Sequence, residues 1–534
     1  FPGLGLPRAA RLPMLTALHA DLRVPILLLT DRADRALEFA DELSFWLPKS
    51  SRYLFPEPNP LFYEEAAWGA NSRRERMQTL TALAAYHLPF AQKPEAPPVI
   101  VSSARALMAR TLPRRDFLRV SKRLSVGNEV LLNSLLENWM RIGYEPVDTV
   151  LEVGQFSHRG GLLDIWPPAE KFPVRLDFFG DEIDTIRSFD PASQRTIESL
   201  GQILITPARE FLLPQTLDSE REFAEFHIPL LHEFPASLLD YLPSGALVLI
   251  DDISIIEATV NEIEEQAVGF RQESIQEETL DADFPVPYLT WSELEDSLHG
   301  RSMLELGYST AIAELPSDFE ALPRFSGRLK PFMDFVAERI ASGDEVIVAS
   351  RQCDRLSELW RERHAFEEAE YHSPTFLCAS LSGGWSLSLP SPSALSQRER
   401  GLKVSTPRVG WTEEGGNSGI YLITDSEIFG WERPRPRRRQ RKAADTPEAA
   451  YADLSPGDWV VHIDHGIGRY VGLVQRTLEG HDREFLCVEY KDTDQLFVPV
   501  HQADRLTRYI GPDGGNPNLS RLGGDGWKQA KGRV

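Results

Sequence analysis

The sequence predicts a multidomain protein that combines α/β domains with a smaller all-β domain. Two apolar runs, VPILLLTD (24–31) and PPVIVSSA (97–104), end in turn or capping residues, which is typical of buried parallel strands. A helical pattern over 32–47 lies between them. Over 454–510 the helical period gives way to short alternating runs and polar turns. These observations indicate parallel α/β layers followed by a β-rich domain.

The order of the patterns predicts where the domains lie. The α/β pattern stops near residue 119, period-two alternation takes over, and the α/β pattern returns with ALVLIDD (246–252). The expected segments are an α/β domain in two parts (1–118 and 209–325), an inserted β-rich antiparallel domain (119–208), a small α/β domain (326–430), a basic linker (431–453), an SH3-like β barrel (454–512) and the beginning of a further segment (513–534). Within the small domain, 382–418 is rich in Ser, Gly and Pro and is predicted to be a disordered insertion.

The composition is that of an ordinary soluble chain with an excess of acidic residues. Of the 534 residues, 42% are hydrophobic and 26% are charged, and the formal net charge is −23. A chain this acidic is not a general polyanion binder over its whole surface, so any contact with nucleic acid requires a local basic patch. The run RPRPRRRQRK (433–442) supplies one. It predicts either weak DNA binding or a solvated tether that its prolines keep extended.

Cysteine content and hydropathy bear on the cellular compartment. The three cysteines, Cys353, Cys378 and Cys487, are too few and too scattered for a disulfide framework or a cysteine-based zinc site. A reducing cytosol is the simplest interpretation. No run of about 18 apolar residues occurs, so we expect a cytoplasmic protein with no membrane partner. The chain lacks an initiator Met and closes on the helix-like GWKQAKGRV, so we expect a fragment.

Residues 157–190 predict β-hairpins with an unusual polar face. Alternation places Val174, Leu176 and Phe178 on the core side of a strand. Arg175, Asp177 and Phe179 take the other side, and Gly180-Asp181 makes the turn. One interpretation is that Phe179 covers a hydrophobic edge while the arginines keep the surface soluble. The other is a protein-docking face, because arginine beside an exposed aromatic is typical of interface hot spots.

The stretch GLPRAARLPML (5–15) stands where a motor protein would carry its phosphate-binding loop. Gly5 remains, but Arg11 occupies the lysine position and Leu12, which cannot hold Mg²⁺, occupies the hydroxyl position. Asp251-Asp252 follows a buried strand, which suits either a magnesium site or, more simply, a helix cap. We therefore expect a degenerate nucleotide site with no catalytic residues, no bound cofactor and no ATP hydrolysis by this chain.

The hairpin stretch resembles a known family. GQFSHRGGLLDIWP and PVRLDFFGDEIDTIRSFD are similar to the second domain of UvrB and of the Mfd family of bacterial transcription-repair coupling factors. The resemblance implies a UvrB-like, helicase-like α/β module whose inserted domain docks on UvrA. The positions that it implicates here are Arg159, Arg175 and Phe179.

The segment 454–509 resembles the RNA-polymerase-interacting domain that this family shares with CarD-type regulators. The resemblance implies that an edge strand pairs with the polymerase β subunit. The candidate edge is GLVQRTL (472–478), with QLFVPV (495–500) as its neighbour. The implied contact residues are Leu473, Arg476, Leu478 and Phe497. His462 and His465 lack two further ligands at suitable spacing, so we expect no metal.

Together these resemblances imply an adaptor that holds stalled RNA polymerase and recruits UvrA for nucleotide excision repair. The ATP- and magnesium-dependent translocase of the family has no counterpart motif here, since neither G-x-x-x-x-G-K-[ST] nor D-E-x-H occurs. Two alternatives stay open: a UvrB-type, ATP-dependent damage-verification enzyme, and a CarD-like transcription regulator.

Overall fold

The computed structural model describes residues 3–192, 194–214, 223–307, 319–364, 373–388, 419–434, 456–462, 465–478, 481–491, 494–499, 506–508 and 519. The chain divides into two compact units, Phe1–Arg437 and Arg438–Val534. No helix in these described ranges is both long and apolar enough to cross a membrane.

The first unit begins with an α/β layer. Its first elements are α1 (Arg11–Leu22), β1 (Ile26–Thr30), α2 (Ala33–Trp46), β2 (Arg52–Phe55), α3 (Ala70–Ala84), β3 (Val99–Ser103), α4 (Ala104–Met108) and α5 (Arg114–Val120). All five residues of β1, and all five of β3, are buried, because helices cover both faces of a parallel sheet. The buried parallel strands predicted from the two apolar runs are confirmed.

An inserted domain follows, and it contains most of the antiparallel pairing in the first unit. Its elements are β4 (Lys122–Ser125), α6 (Leu132–Arg141), β5 (Glu145–Pro146), β6 (Gln155–Arg159), β7 (Leu162–Ile165), β8 (Val174–Phe179), β9 (Glu182–Phe189), β10 (Thr196–Leu200) and β11 (Gln202–Ile205). Six strands form one sheet in the order β10-β9-β8-β7-β6-β5, while β11 and β4 form a separate two-stranded ribbon. All pairs are antiparallel except β5 with β6.

The α/β layer then resumes and completes its sheet. The elements are α7 (Ile228–Leu231), α8 (Leu238–Tyr241), β12 (Leu247–Ile250), α9 (Ile253–Gln276), α10 (Trp291–His299) and β13 (Ser302–Glu305). The sheet order is β13-β12-β1-β3-β2, and every pair is parallel. Strands from before and after the insert therefore lie side by side, since β12 pairs directly with β1.

A fully buried ion pair fixes the point where the chain leaves the insert. Arg76 of α3 is 0% exposed and donates to both carboxylate oxygens of Glu210, at 2.6 and 2.9 Å. Its Nη1 group donates to the carbonyls of Pro56 and Ala106. The guanidinium also lies over the rings of Phe55 and Trp68. Every charge is thus neutralised and hydrogen-bonded, the condition under which a buried pair is tolerated.

The last part of the first unit is a small α/β domain. It contains β14 (Phe319–Glu320), α11 (Leu329–Ala341), β15 (Glu345–Ala349), α12 (Cys353–Arg363), β16 (Thr375–Leu377), β17 (Trp385–Ser388), β18 (Gly419–Thr424) and α13 (Asp425–Phe429). The sheet order is β14-β17-β18-β15-β16. β15 is parallel to both β16 and β18, whereas β17 pairs antiparallel with β14 and β18.

The prediction of a disordered insertion over 382–418 is wrong for its first residues. Trp385–Ser388 forms β17, and Trp385 is buried in a hydrophobic cluster that includes Leu12, Leu28 and Leu381. This cluster is shared with the first sheet, so a contact made far away in sequence orders a segment whose Ser/Gly composition predicts disorder. Residues 389–418 lie outside the described residues.

The small domain also pairs two of the cysteines. Cys353 and Cys378 form a disulfide, with their Cα atoms 5.2 Å apart. The sequence did not predict this bond, because the 25-residue separation is closed only by the parallel pairing of β15 with β16. Cys487 is free and buried.

The start of the basic linker is held by the first unit. Arg433 forms ion pairs with Asp41 and with Glu42, the latter at 3.0 Å, both on α2. Trp431 stacks on Phe429 with ring centroids 4.3 Å apart. Arg433 is therefore neither part of a solvated tether nor available to attract DNA. Residues 435–453 lie outside the described residues.

The second unit contains a five-stranded antiparallel sheet. Its strands are β19 (Trp459–His462), β20 (Gly466–Leu478), β21 (His481–Glu489), β22 (Gln495–Pro499) and β23 (Leu506–Arg508), in the order β22-β21-β20-β19-β23. Val460, Tyr470, Leu486 and Val488 are among its buried core residues. The mixed α/β and β architecture predicted from the sequence is confirmed, while an SH3-like barrel and a UvrB-like module remain predictions. Of the predicted segment 513–534, only residue 519 is described.

Candidate protein-docking surfaces

The two faces of β8 carry the side chains that alternation assigns to them. Val174 and Leu176 are fully buried, and Phe178 packs against the same core. Arg175 and Asp177 point to the opposite, outer face. Because directly paired residues of neighbouring strands share a face, that outer face also includes Leu162 and Asp164 of β7 and Arg187 of β9.

Phe179 is the most prominent apolar group on this face. Its side chain is 84% exposed, the largest exposure of any large hydrophobic residue in the described ranges. It ends β8 immediately before the Gly180-Asp181 turn, where Gly180 adopts the left-handed region at φ +66°. The adjoining turn offers no cover, because it consists of Gly160 and Gly161. The possibility that Phe179 covers a hydrophobic edge within the domain is therefore wrong.

Gly161 also sets the geometry of the strand that presents Phe179. Its carbonyl accepts a 2.8 Å hydrogen bond from the Phe178 N–H. A Cβ at this position would lie 2.9 Å from the Phe178 carbonyl oxygen, so only glycine permits this approach. The pair of glycines thus has a structural role that the sequence motif alone does not reveal.

Arg175 is committed to an internal ion pair. Its Nε and Nη2 atoms donate to the two carboxylate oxygens of Asp164 at 2.7 and 2.8 Å, and Nη2 also donates to Gln194 Oε1 at 3.0 Å. The guanidinium lies 4.5 Å from the ring centroid of Phe189. The hydrogen bonds to Asp164 raise the pKa of Arg175 further above its usual range. Arg175 therefore holds neighbouring strands of the outer face together. Only the exposed part of its side chain, 22% of the surface, is available to a partner.

Arg159 is the more available cation of the two. It lies at the end of β6 with its side chain exposed. Its Nη2 atom donates to the Asp148 carbonyl at 2.6 Å and to Thr149 Oγ1 at 3.2 Å. These acceptors are neutral and orient the guanidinium without cancelling its charge. Arg159 is thus positioned to meet an acidic group on a partner.

Sequence reasoning missed the residues that organise this face. Asp164 neutralises Arg175, and Asp177 does the same for Arg187. Leu162 adds a second partly exposed apolar side chain opposite Asp177. The available signal was the alternation in β7, which puts Leu162 and Asp164 outward, but the sequence does not tell which arginine each carboxylate binds.

The region predicted to be a degenerate phosphate loop contains buried ion pairs. Arg11 and Asp251 form a buried salt bridge, and Arg35 Nε lies 3.4 Å from the second oxygen of Asp251. Thr30 Oγ1 donates to the same oxygen at 3.3 Å. A carboxylate engaged in this way is not available to position a metal-bound water. Asp252 caps α9 by accepting from the Ile255 N–H, as the simpler interpretation predicted.

The residues present do not fit ATP and Mg²⁺. Leu12 is buried in the core and carries no oxygen. The N–H of Gly5 donates to the Gly307 carbonyl at 3.0 Å, and Gly3 forms a parallel bridge with Glu305, so the chain here runs alongside 305–307. Arg11 Nη2 fills the space next to Gly307, where a Cβ would lie 2.9 Å from it. A phosphate cradle requires free, converging backbone N–H groups. The N–H of Gly5 is not free, because it already donates to the Gly307 carbonyl.

In the second unit, β20 has an edge along its later half. β19 pairs with Gly466–Arg469, whereas Gly472–Leu478 pairs with β21 alone among the described residues. In the described part of the sheet, 472–478 therefore has a strand partner on one side only. The expected neighbour is wrong, however: Gln495–Pro499 pairs with Phe485–Glu489 of β21, because β21 lies between the two strands.

The four implied contact positions in this unit are differently placed. Leu473 is 43% exposed. Phe497 is half-buried and pairs with Cys487, on the face opposite the core residues Leu486 and Val498. Only the backbone is described for Arg476 and Leu478, which lie opposite Arg483 and His481. The rings of His462 and His465 are 4.7 Å apart, and no third ligand group joins them in the described part of this unit.

Arg175 and Arg159 should differ in what they contribute to folding. Arg175→Ala leaves the buried Asp164 carboxylate unpaired, so we expect a loss of about 1–3 kcal/mol in the free energy of unfolding. Arg159→Ala removes an exposed side chain and should change that free energy by less than about 0.5 kcal/mol. Urea unfolding of both variants measures the difference; equal losses would contradict the assignment of Arg175 to an internal pair.

Two family models match this chain. Residues 123–211 match the UvrB interaction domain. This stretch of the chain contains the outer face described above. Residues 454–510 match the CarD-like/TRCF RID domain, which contains the open edge of β20.

Curated relatives align with nearly the whole chain. The transcription-repair-coupling factor of Bacillus subtilis (strain 168) is 27% identical over 99% of this chain and 47% of its own length. That of Myxococcus xanthus is 28% identical, and that of Staphylococcus aureus (strain MRSA252) is 24% identical, with the same coverage. The chain thus spans about half the length of the curated relatives it matches. The resemblance seen in the sequence is confirmed: over 99% of its length this chain is similar to transcription-repair-coupling factors.

Proposed function

We propose that this chain is the adaptor portion of a transcription-coupled DNA repair factor. One surface binds UvrA, and another binds the β subunit of an RNA polymerase stalled at a lesion. The observation that carries the proposal is the pairing of an exposed Phe179 with a rigid, ion-paired outer face inside the part of the chain that matches the UvrB interaction domain.

The outer face has the physical make-up of a preorganised docking site. Phe179 supplies a large apolar group whose burial in a partner would remove most of a phenyl ring from water. Arg159 supplies a charge that is not neutralised within the chain's own hydrogen bonds. Arg175 and Asp164 hold the strands between them rigid, which lowers the entropy lost on binding.

The edge of β20 supports the second contact. Backbone N–H and C=O groups along 472–478 have a strand partner on one side only among the described residues. Such an edge can accept an extended strand from another protein, with main-chain hydrogen bonds giving affinity and flanking side chains giving specificity. Leu473 is already exposed beside it, and we propose that Arg476, Leu478 and Phe497 complete the contact.

No ATP hydrolysis is proposed for this chain, and no nucleotide or metal cofactor. The competing class is a UvrB-type damage-verification enzyme, and a CarD-like regulator without repair function is the third. We propose the domain limits given by the sequence pattern, with weak DNA binding, if present, confined to the linker beyond Arg433.

ATP turnover separates the adaptor from the enzyme. Because Arg11, Arg35 and Thr30 occupy Asp251, we expect the purified chain to hydrolyse ATP no faster with single-stranded or damaged DNA than a protein-free blank. Coupled phosphate release measures this. A DNA-stimulated rate that disappears in Asp251→Asn would identify a working site and overturn the adaptor assignment.

UvrA affinity tests the outer face. Combined Phe179→Ala and Arg159→Ala substitution should weaken binding to purified UvrA about 5- to 150-fold, equivalent to 1–3 kcal/mol, because it removes the apolar anchor and the free charge. Phe234→Ala is the matched control, since Phe234 is 78% exposed elsewhere in the first unit. Undiminished UvrA affinity in the double variant would rule out this surface.

Binding to an isolated fragment of the polymerase β subunit tests the edge of β20. Leu478→Arg places a bulky charge beside the expected strand pairing and should abolish measurable binding. Leu377→Arg, at an exposed leucine of the small domain, should bind as the unsubstituted chain does. If Leu478→Arg retains full affinity by titration calorimetry, the polymerase contact lies elsewhere.

A further inference from the structure

The disulfide of the small domain joins two sulfur atoms in very different surroundings. Cys353 is buried, with 3% of its surface exposed, at the first position of α12. Cys378 is exposed and directly follows β16. A thiolate that approaches from solvent therefore reaches Cys378 first.

The leaving sulfur, that of Cys353, lies at the N-terminal end of a helix. α12 is an 11-residue helix whose N-cap, Gln352, makes no side-chain capping bond. The unsatisfied N–H groups and the dipole of such a helix end favour negative charge on Cys353. Asp354 lies within reach of both sulfurs, but it is exposed, so water screens its opposing charge.

The disulfide directly follows a weakly held strand, whose Phe376 packs against the core of the small domain. β16 has three residues, lies at the edge of its sheet, and pairs only with β15 in the described ranges. None of its residues is fully buried. Three residues after Cys378 the chain reaches Leu381, which packs in the cluster that the small domain shares with the first sheet. Opening the disulfide therefore loosens a segment next to that contact.

We propose that Cys353 and Cys378 form a reversible thiol–disulfide exchange site that reacts with dithiol reductants and with small-molecule disulfides. A reductant thiolate attacks Cys378 Sγ, the sulfur–sulfur bond breaks, and Cys353 leaves with the electron pair and takes a proton from water. The second thiol of the reductant then attacks its own sulfur in the mixed disulfide and releases Cys378. The protein gains two thiols and the reductant becomes a disulfide; the reverse sequence oxidises the pair.

Trapping in the unsubstituted chain tests the direction of attack. The oxidised, folded protein is treated briefly with glutathione, quenched with acid and mapped by mass spectrometry. We expect the glutathione adduct on Cys378 to exceed that on Cys353 by about tenfold or more, because only Cys378 is exposed. An equal or larger adduct on Cys353 would overturn the proposed order of attack.

Single substitutions give an independent measurement with a matched control. With oxidised glutathione, Cys353→Ser should form its adduct at least about tenfold faster than Cys378→Ser, whose remaining thiol is buried. Cys487→Ser should leave dithiothreitol reduction of the pair unchanged, since Cys487 lies in the second unit.

Hydrogen exchange gives a further measurement. When the pair is reduced, amide hydrogen exchange over 373–381 should rise while exchange over Ile26–Thr30 stays constant. The proposal would be wrong if dithiothreitol failed to reduce the pair in the folded chain, or if reduction left amide hydrogen exchange over 373–381 unchanged.

Discussion

The buried pair of Arg76 and Glu210 is the constraint on which the first unit depends. Glu210 lies just beyond β11, where the chain leaves the inserted domain, and Arg76 lies on a helix of the α/β layer. Two charges removed from water are tolerated only when each finds its partners, and this geometry leaves them little freedom. The pair therefore fixes the exit of the insert against α3, where the domain that the insert interrupts still closes one continuous parallel sheet.

The outer face of the insert follows the same principle at the surface. Carboxylates pair with arginines inside the face, so most of its charge is used in holding adjacent strands together. What is left over, an exposed phenyl ring and one arginine bound only to neutral oxygens, is the part that can recognise another protein. Some side chains of this sheet thus hold the strands rigid, and neighbouring ones are available to recognise a partner. The effect of a substitution depends on which of these two groups of side chains it changes.

In the region predicted to be a degenerate nucleotide site, ion pairs occupy the carboxyl ends of two parallel strands. The parallel strands β1 and β12 still bring Thr30 and Asp251 together at their carboxyl ends, where α/β proteins place ligands. Arg11 and Arg35 now satisfy that carboxylate, and Leu12 joins the hydrophobic core. Leu12 packs in the same cluster as Trp385 and Leu422 of the small domain, so this region contributes to the packing between the first sheet and that domain.

The sequence by itself determined the parallel strands, the faces of β8 and the hairpin turn at Gly180, because these depend on local period and on side-chain chemistry at single positions. Only the tertiary structure decided that Arg175 binds Asp164, that Arg76 rather than a neighbouring arginine is buried, that Trp385 orders a Ser/Gly-rich segment, and that β21 separates β20 from β22. Each of these depends on which residues of separate helices and strands come into contact. Such pairings are chosen by the packing of whole sheets and helices, about which a residue's immediate neighbours in the chain carry no information.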